Sequence, residues 1–242
     1  MVLKNKIAVI TGGSKGIGKA IAESLARERA KLAICSRNEI AIMSAAKELN
    51  LIDDSVRVLF KRVDVKYEDE VRSFVNDVIS EFGQIDYLIN NAGTGDGGLL
   101  ENISIEDYNN IIDTNLKGSY LMMKYVIPFM KVKKAGHIVN ISSIAGDCGI
   151  PGASIYSASK AALSGLSLSL REELREHNIR LSVIKPGAVN TDIWGEFGNN
   201  FDKNKMIRPE DVGKTVLFIL ENSATCNFDE ITIMPHSGIL SE

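Results

Sequence analysis

A chain of 242 residues with 45% hydrophobic composition can bury a sizeable core as one α/β domain. Its formal charge of −3 gives no ground for expecting nucleic acid, and no apolar run approaches the ~20 residues of a membrane span. Cys35, Cys148 and Cys226 are odd in number and scattered, which argues against a disulfide framework, and His137, His177 and His236 have no ligand-like spacing with them, so no metal site is expected.

The first six residues include Lys4 and Lys6 and lead into the apolar stretch 7–10, which is too short for a signal segment and runs into a glycine turn, so a cytoplasmic protein is expected. That stretch reads as a buried strand. The glycines after it open a helix with apolar residues at Ile17, Ile21 and Leu25. Between strand and helix stands Thr11-Gly12-Gly13-Ser14-Lys15-Gly16-Ile17-Gly18. A pyrophosphate needs outward backbone N–H groups, no side chains in the way and a helix N-terminus, and this segment supplies all of them. Gly12, Ser14, Lys15, Gly16, Ile17 and Gly18 are therefore candidate cofactor ligands. The second strand, residues 31–37, ends in Ser36 and Arg37, where an acid would grip the ribose hydroxyls of NAD and an arginine suits a ribose phosphate.

A helix to about residue 50 and a third strand, 56–63, deliver Asp64 and Val65. Asp64 could accept from an exocyclic amine or cap the next helix. A helix over 68–82, a turn at Gly83 and a strand over 85–89 lead to Asn90-Asn91-Ala92-Gly93. The glycine-rich run 94–98 suits a substrate loop or a plain surface loop. A long helix is expected through residues 113–118, in which Asn115 is a mild anomaly. The fifth strand, 136–141, puts Ser143 at its carboxyl end, where ligands bind in open α/β sheets. If the loop after Ser143 lines the site, Cys148 could approach it, although a packed thiol is the plainer role.

The helix over 154–177 carries Tyr156 and Lys160 one turn apart, on one face. An ammonium there favours the phenolate and draws the tyrosine down from its ordinary pKa of about 10. Tyr120 and Lys124 have the same separation but no hydroxyl-ended strand before them, and serve as an internal control. A sixth strand, 179–184, is followed by Lys185-Pro186-Gly187-Ala188-Val189-Asn190-Thr191. Residues 192–207 show no clean period, and with Trp194 and Phe197 suggest a substrate lid. A helix from residues 208–213 and a strand within 228–235 complete the chain.

Ser143, Tyr156 and Lys160 in this arrangement resemble the short-chain dehydrogenase/reductase family, and so do the Gly-x-x-x-Gly-x-Gly turn, Asn90-Asn91-Ala92-Gly93 and Pro186-Gly187. The resemblance implies one domain over 1–242, a Rossmann-like doubly wound parallel sheet of about seven strands with helices on both faces. It implies Asn115, Ser143, Tyr156 and Lys160 as the catalytic set, with the helix kinked at Asn115. It also implies NADP(H) in preference to NAD(H), given Lys15, Ser36 and Arg37. Asp64 and Val65 would then lie at the adenine, and Asn90, Ala92 and Gly93 would run their backbone along the cofactor. Tyr156, Lys160, Pro186, Gly187, Val189 and Thr191 would surround the nicotinamide riboside. A small carbonyl or alcohol substrate and a homo-oligomer, dimer or tetramer, follow from the same likeness.

The ending departs from the family's commonest one, an aspartate with paired glycines. Met234-Pro235 is instead similar to members that oxidise small alcohols or hydroxy amino acids. Three expectations remain: a ketone or small-alcohol enzyme, a 3-oxoacyl thioester reductase, and a non-catalytic NADP-sensing protein.

Overall fold

Strand β1 (Ile7–Thr11) is buried along its whole length, and its side chains alternate between two cores: Ala8 and Ile10 enter one, Ile7 and Val9 the other. Strand β2 (Lys31–Ser36) does the same, with Leu32 and Ile34 on the first side and Ala33 and Cys35 on the second. Continuously apolar strands of this kind demand cover on both faces, the mark of a parallel sheet. In the computed structural model, which describes residues 3–95, 98–195, 202–222 and 225–239, that cover is present.

The sheet has seven strands, all pairs parallel, in the order β3-β2-β1-β4-β5-β6-β7. The remaining strands are β3 (Val58–Arg62), β4 (Tyr87–Asn90), β5 (Gly136–Ile141), β6 (Ile179–Pro186) and β7 (Glu230–Ile233). The chain reverses its progress across the sheet between β1 and β4, and a crevice opens at the carboxyl ends there. This is the doubly wound Rossmann-like fold expected from the sequence.

Helices α1 (Gly16–Arg27), α2 (Glu39–Asn50) and α7 (Pro209–Glu221) cover the first core, through Ile21, Leu25, Ile42, Leu49, Val216 and Ile219. Helices α3 (Glu68–Phe82), α5 (Gly118–Lys133) and α6 (Ser154–Arg175) cover the second, through Phe74, Val78, Leu121, Met122 and Leu174. Each such side chain contributes about 1.5–3 kcal/mol on burial. Local signals set the helix ends. Asn38 accepts from Ala41 N at 2.9 Å at the start of α2, Glu68, Asp69 and Glu70 face the positive end of α3, and Gly83 closes α3 in the left-handed region at φ 78°.

The structure departs from the sequence reading in particular places. The long helix through 113–118 is two helices, α4 (Ile105–Ile112) and α5, joined by a wide π-helical turn at Asp113–Lys117. Strand β4 begins two residues late because Asp86 is drawn into a polar cluster, its Oδ2 accepting from Ile7 N at 2.8 Å beside Lys6 and Lys133. The final strand is shorter than residues 228–235. Within 192–207 the chain forms short helical turns at Asp192–Gly195 and Lys203–Lys205, while Phe197 lies outside the described residues.

Candidate active site

After β1 the chain makes a turn that needs glycine. Gly12 and Gly16 have φ of +66° and +55°. A Cβ on Gly12 would stand 2.9 Å from Asn91 Nδ2, and one on Gly18 would run into both Gly12 O and Asn91 Nδ2. The turn is tied to the end of β4, where Asn91 Nδ2 donates to Thr11 O at 3.0 Å and the Asn91 and Ala92 N–H groups donate to Thr11 Oγ1 at 3.0 and 2.9 Å. Helix α1 starts with no side-chain cap and no acid in its first turn. Its leading N–H groups are thus left for an anion, and a dinucleotide's pyrophosphate fits this bare backbone cradle. Ser14 is half-buried in the turn, Ile17 faces the neighbouring cavity, and Lys15 is exposed with Nζ 3.1 Å from Asp192 Oδ2.

Beside this cradle the carboxyl ends of β2 and β3 bring up the residues expected at the adenosine. Ser36 Oγ donates to Asn38 O at 3.2 Å, and Arg37 is exposed with no ion pair or hydrogen bond among the described residues. Asp64 does not cap α3, whose N-cap is Tyr67. Its Oδ1 instead accepts from Lys66 N at 3.1 Å and shapes the turn before the helix. Val65 is buried against Gly118, where a Cβ would lie 2.6 Å from Val65 Cγ2.

On the other side of β1, the ends of β4 and β5 assemble the expected catalytic residues. Ser143 follows β5, and its Oγ accepts from Ala145 N at 3.1 Å. Tyr156 stands in the first turn of α6, half-buried at a cavity wall, and shares a hydrogen bond with the Ser143 hydroxyl. Lys160 is buried one turn later. Its Nζ donates to Ile141 O at 2.9 Å and lies 5.7 Å from the Tyr156 ring centroid. Gly93 passes so close that a Cβ there would stand 3.4 Å from Asn115 Oδ1 and 3.5 Å from Lys160 Nζ.

Asn115 sits in the π turn with its amide fully engaged. Its Oδ1 accepts from Thr94 N at 2.8 Å, and its Nδ2 donates to Thr94 O and Ser159 Oγ, both at 2.9 Å. Ser159 Oγ in turn donates to Tyr156 O at 2.7 Å. One asparagine therefore clasps the loop after β4 to the helix that carries Tyr156. Sequence reasoning missed Ser159, which is one small residue among several there.

Burial raises the Tyr156 pKa, and the Ser143 hydrogen bond works against that rise. Burial also lowers Lys160 to about 8. The expectation that Lys160 draws the phenol down is not met in this structure, because exclusion of solvent favours the neutral form of each group. The control pair is plainly different: Tyr120 is exposed on α5, and Lys124 Nζ pairs with Glu68 at 2.6 Å.

The segment after β6 closes the site. Gly187 N donates to Ile233 O at 2.7 Å, and a Cβ on Gly187 would stand 2.8 Å from Pro235 Cδ, so the Met234-Pro235 ending packs directly behind Pro186-Gly187. Val189 bridges to Ile207, and Thr191 Cγ2 would lie 3.2 Å from a Cβ on Gly16. Trp194 Nε1 donates to Val189 O at 2.7 Å. Ser143, Tyr156 and this segment enclose a cavity of about 570 Å³. Lys185, which the sequence did not single out, pairs behind it with Asp147 at 3.0 Å and Glu230 at 2.8 Å. Cys148 is turned away, its thiol on Ile144 O.

A family model described as short chain dehydrogenase matches residues 6–201. An uncharacterised oxidoreductase of Staphylococcus saprophyticus is 34% identical, over 96% of this chain and 98% of its own. The 3-oxoacyl-[acyl-carrier-protein] reductase FabG of Chlamydia muridarum is 38% identical, over 93% of each chain. Among solved structures, an alcohol dehydrogenase of the archaeon Thermococcus sibiricus complexed with 5-hydroxy-NADP superposes with a TM-score of 0.90 at 28% identity, covering 99% of this chain and 100% of that one. With a matched span that runs from the glycine turn past Thr191, and a sheet order that lines up every expected motif along one edge, this protein belongs to the short-chain dehydrogenase family and is an oxidoreductase of that family.

Proposed function

We propose that the chain uses NADP(H) to interconvert a ketone and a secondary alcohol, with Tyr156 as general acid and base. The observation that carries this reading is the hydrogen-bonded Ser143–Tyr156 pair at a cavity wall, with Lys160 buried one turn away. When bound, the nicotinamide would supply the hydride in reduction and accept it in oxidation. Tyr156 gives its phenolic proton to the carbonyl oxygen as negative charge grows there, and Ser143 donates a hydrogen bond to the same oxygen. Lys160 stabilises the phenolate that results and would hold the nicotinamide ribose. Asn115 keeps the loop after β4 and the start of α6 in register, so that the path by which the phenol regains its proton persists.

Gly12, Gly16 and Gly18 would cradle the pyrophosphate, and Arg37, exposed and unengaged among the described residues, would take the ribose phosphate, with Lys15 of the glycine turn as a second cation. Preference for NADPH over NADH of about tenfold or more is expected from paired charge-assisted hydrogen bonds. The same reading has the chain as a homo-oligomer, supported by the exposed small residues Ala158, Ala161, Ala162 and Gly165 along α6. The likeness to the Chlamydia muridarum enzyme favours a 3-oxoacyl thioester as second reading.

The test is oxidation of NADPH and of NADH with a simple ketone and with a 3-oxoacyl thioester, and reduction of NADP+ with a hydroxy amino acid. Turnover of the ketone with NADPH in excess over the others supports the first reading. Turnover of the thioester alone replaces it with the second.

A further inference from the structure

Resting on the hydride-transfer reading, we infer that the site takes an uncharged, predominantly apolar carbonyl compound or its alcohol, and that Trp194 is a wall of the pocket that holds it. No charged side chain lines the cavity among the described residues. Its walls beyond Ser143 and Tyr156 include Leu99, Ile144, Ile150, Trp194 and Ile239, with Thr191 the one further polar side chain besides Ser142 among the described residues. The Ser142 hydroxyl is turned inward, donating to Lys160 O at 3.1 Å beside Ser164 Oγ at 3.1 Å. The indole N–H of Trp194 is spent on Val189 O, so ring carbon is what it offers a ligand.

The nearby cations lie off the cavity lining: Lys15 pairs with Asp192 at the surface, Lys185 with Asp147 and Glu230, and Lys160 stands one turn behind Tyr156 with its Nζ on Ile141 O. A carboxylate or an ammonium carried into the cavity would therefore lose its water and meet no side chain of opposite charge in the lining among the described residues. The unusual C-terminal ending finds its use here. Pro235 packs on Gly187, Gly238 turns at φ +82° with its N–H on Pro235 O at 2.9 Å, and Ile239 is thereby brought onto the cavity as one more apolar surface. A neutral ketone matches this lining, whereas a zwitterionic hydroxy amino acid does not.

The experiment measures kcat/KM with NADPH for a methyl ketone series lengthened one methylene at a time, and for ethyl acetoacetate against acetoacetate. Each methylene should raise kcat/KM about threefold to fourfold until the cavity is full, through KM. The carboxylate should fall roughly 100-fold or more below its ester. A flat or falling series, or acetoacetate equal to the ester, overturns the inference. Because Trp194 is the single tryptophan, its emission in protein saturated with NADP+ reports occupancy apart from turnover, and Trp194→Phe is the dark control. An emission change with neutral ketones but no turnover of any ketone supports the pocket and overturns the hydride-transfer reading. Turnover with no emission change at saturating ketone removes Trp194 from the wall, and neither binding nor turnover overturns the inference outright.

Discussion

Lys160 is a lysine whose charge its own burial opposes. Its pKa falls from 10.5 to about 8 through burial, a difference worth about 3 kcal/mol. Below pH 8 folded and unfolded chains both hold the proton, and the folded chain carries the full cost of a buried ammonium. Between pH 8 and 10.5 the unfolded chain still holds a proton that the folded one has released, so this group makes stability rise with pH across that window. Lys160→Met should remove the rise, and denaturant unfolding of both proteins through the window measures it. The difference in unfolding free energy between wild type and variant should change by about 2–3 kcal/mol across those pH values. A constant difference would mean that Lys160 titrates as an exposed lysine does. The same burial argument separates the tyrosines. Tyr120 and Tyr156 are alike in spacing, and only the hydroxyl-ended strand before Ser143 distinguished them in the sequence, yet in the fold one meets solvent and the other a cavity.

At the scale of elements, the π turn at Asp113–Lys117 is the feature that periodicity could not reveal. Its apolar and polar residues continue a helical pattern on both sides, and the extra residue is absorbed by long-range bonds from Asn115 to Thr94 and Ser159. The asparagine was visible as an anomaly, but its partners lie far along the chain. Lys185 was illegible for the same reason, since Asp147 and Glu230 reach it from β5's trailing loop and from β7. By contrast, α3 and β5 ran as their local patterns required, because acids, glycine and β-branched runs act over a few residues. The start of α5 gives a test of how tightly these pieces meet. A methyl group at Gly118 would stand 2.6 Å from Val65 Cγ2 and 2.9 Å from Val65 Cβ, with β3's trailing turn behind it. Gly118→Ala should cost about 1–3 kcal/mol by overpacking, or roughly 2–10 °C in melting temperature, and should weaken cofactor binding through displaced Val65. An unchanged melting temperature would show that the turn yields freely.

Across the whole molecule, the sheet order turns scattered motifs into a line. Reading along the carboxyl edge from β3 to β6, the chain presents Asp64 and Val65, Ser36 and Arg37, the glycine turn, Asn90 to Gly93, Ser143, and then Pro186 to Thr191. Helix α6 lays Tyr156 and Lys160 across the end of that line, against β5, and the C-terminal ending supports β6 from behind. No helix among the described residues is long and apolar enough to cross a membrane. The proposed reaction asks one tyrosine to transfer the proton, and transient oxidation of NADPH by a neutral ketone, in Tyr156→Phe and Tyr120→Phe side by side with wild type, tests that directly. The Tyr156 variant should keep its affinity for NADPH and lose turnover by roughly 100-fold or more, while the Tyr120 variant stays within about twofold of wild type. Turnover retained in Tyr156→Phe, or abolished in Tyr120→Phe, would contradict the account.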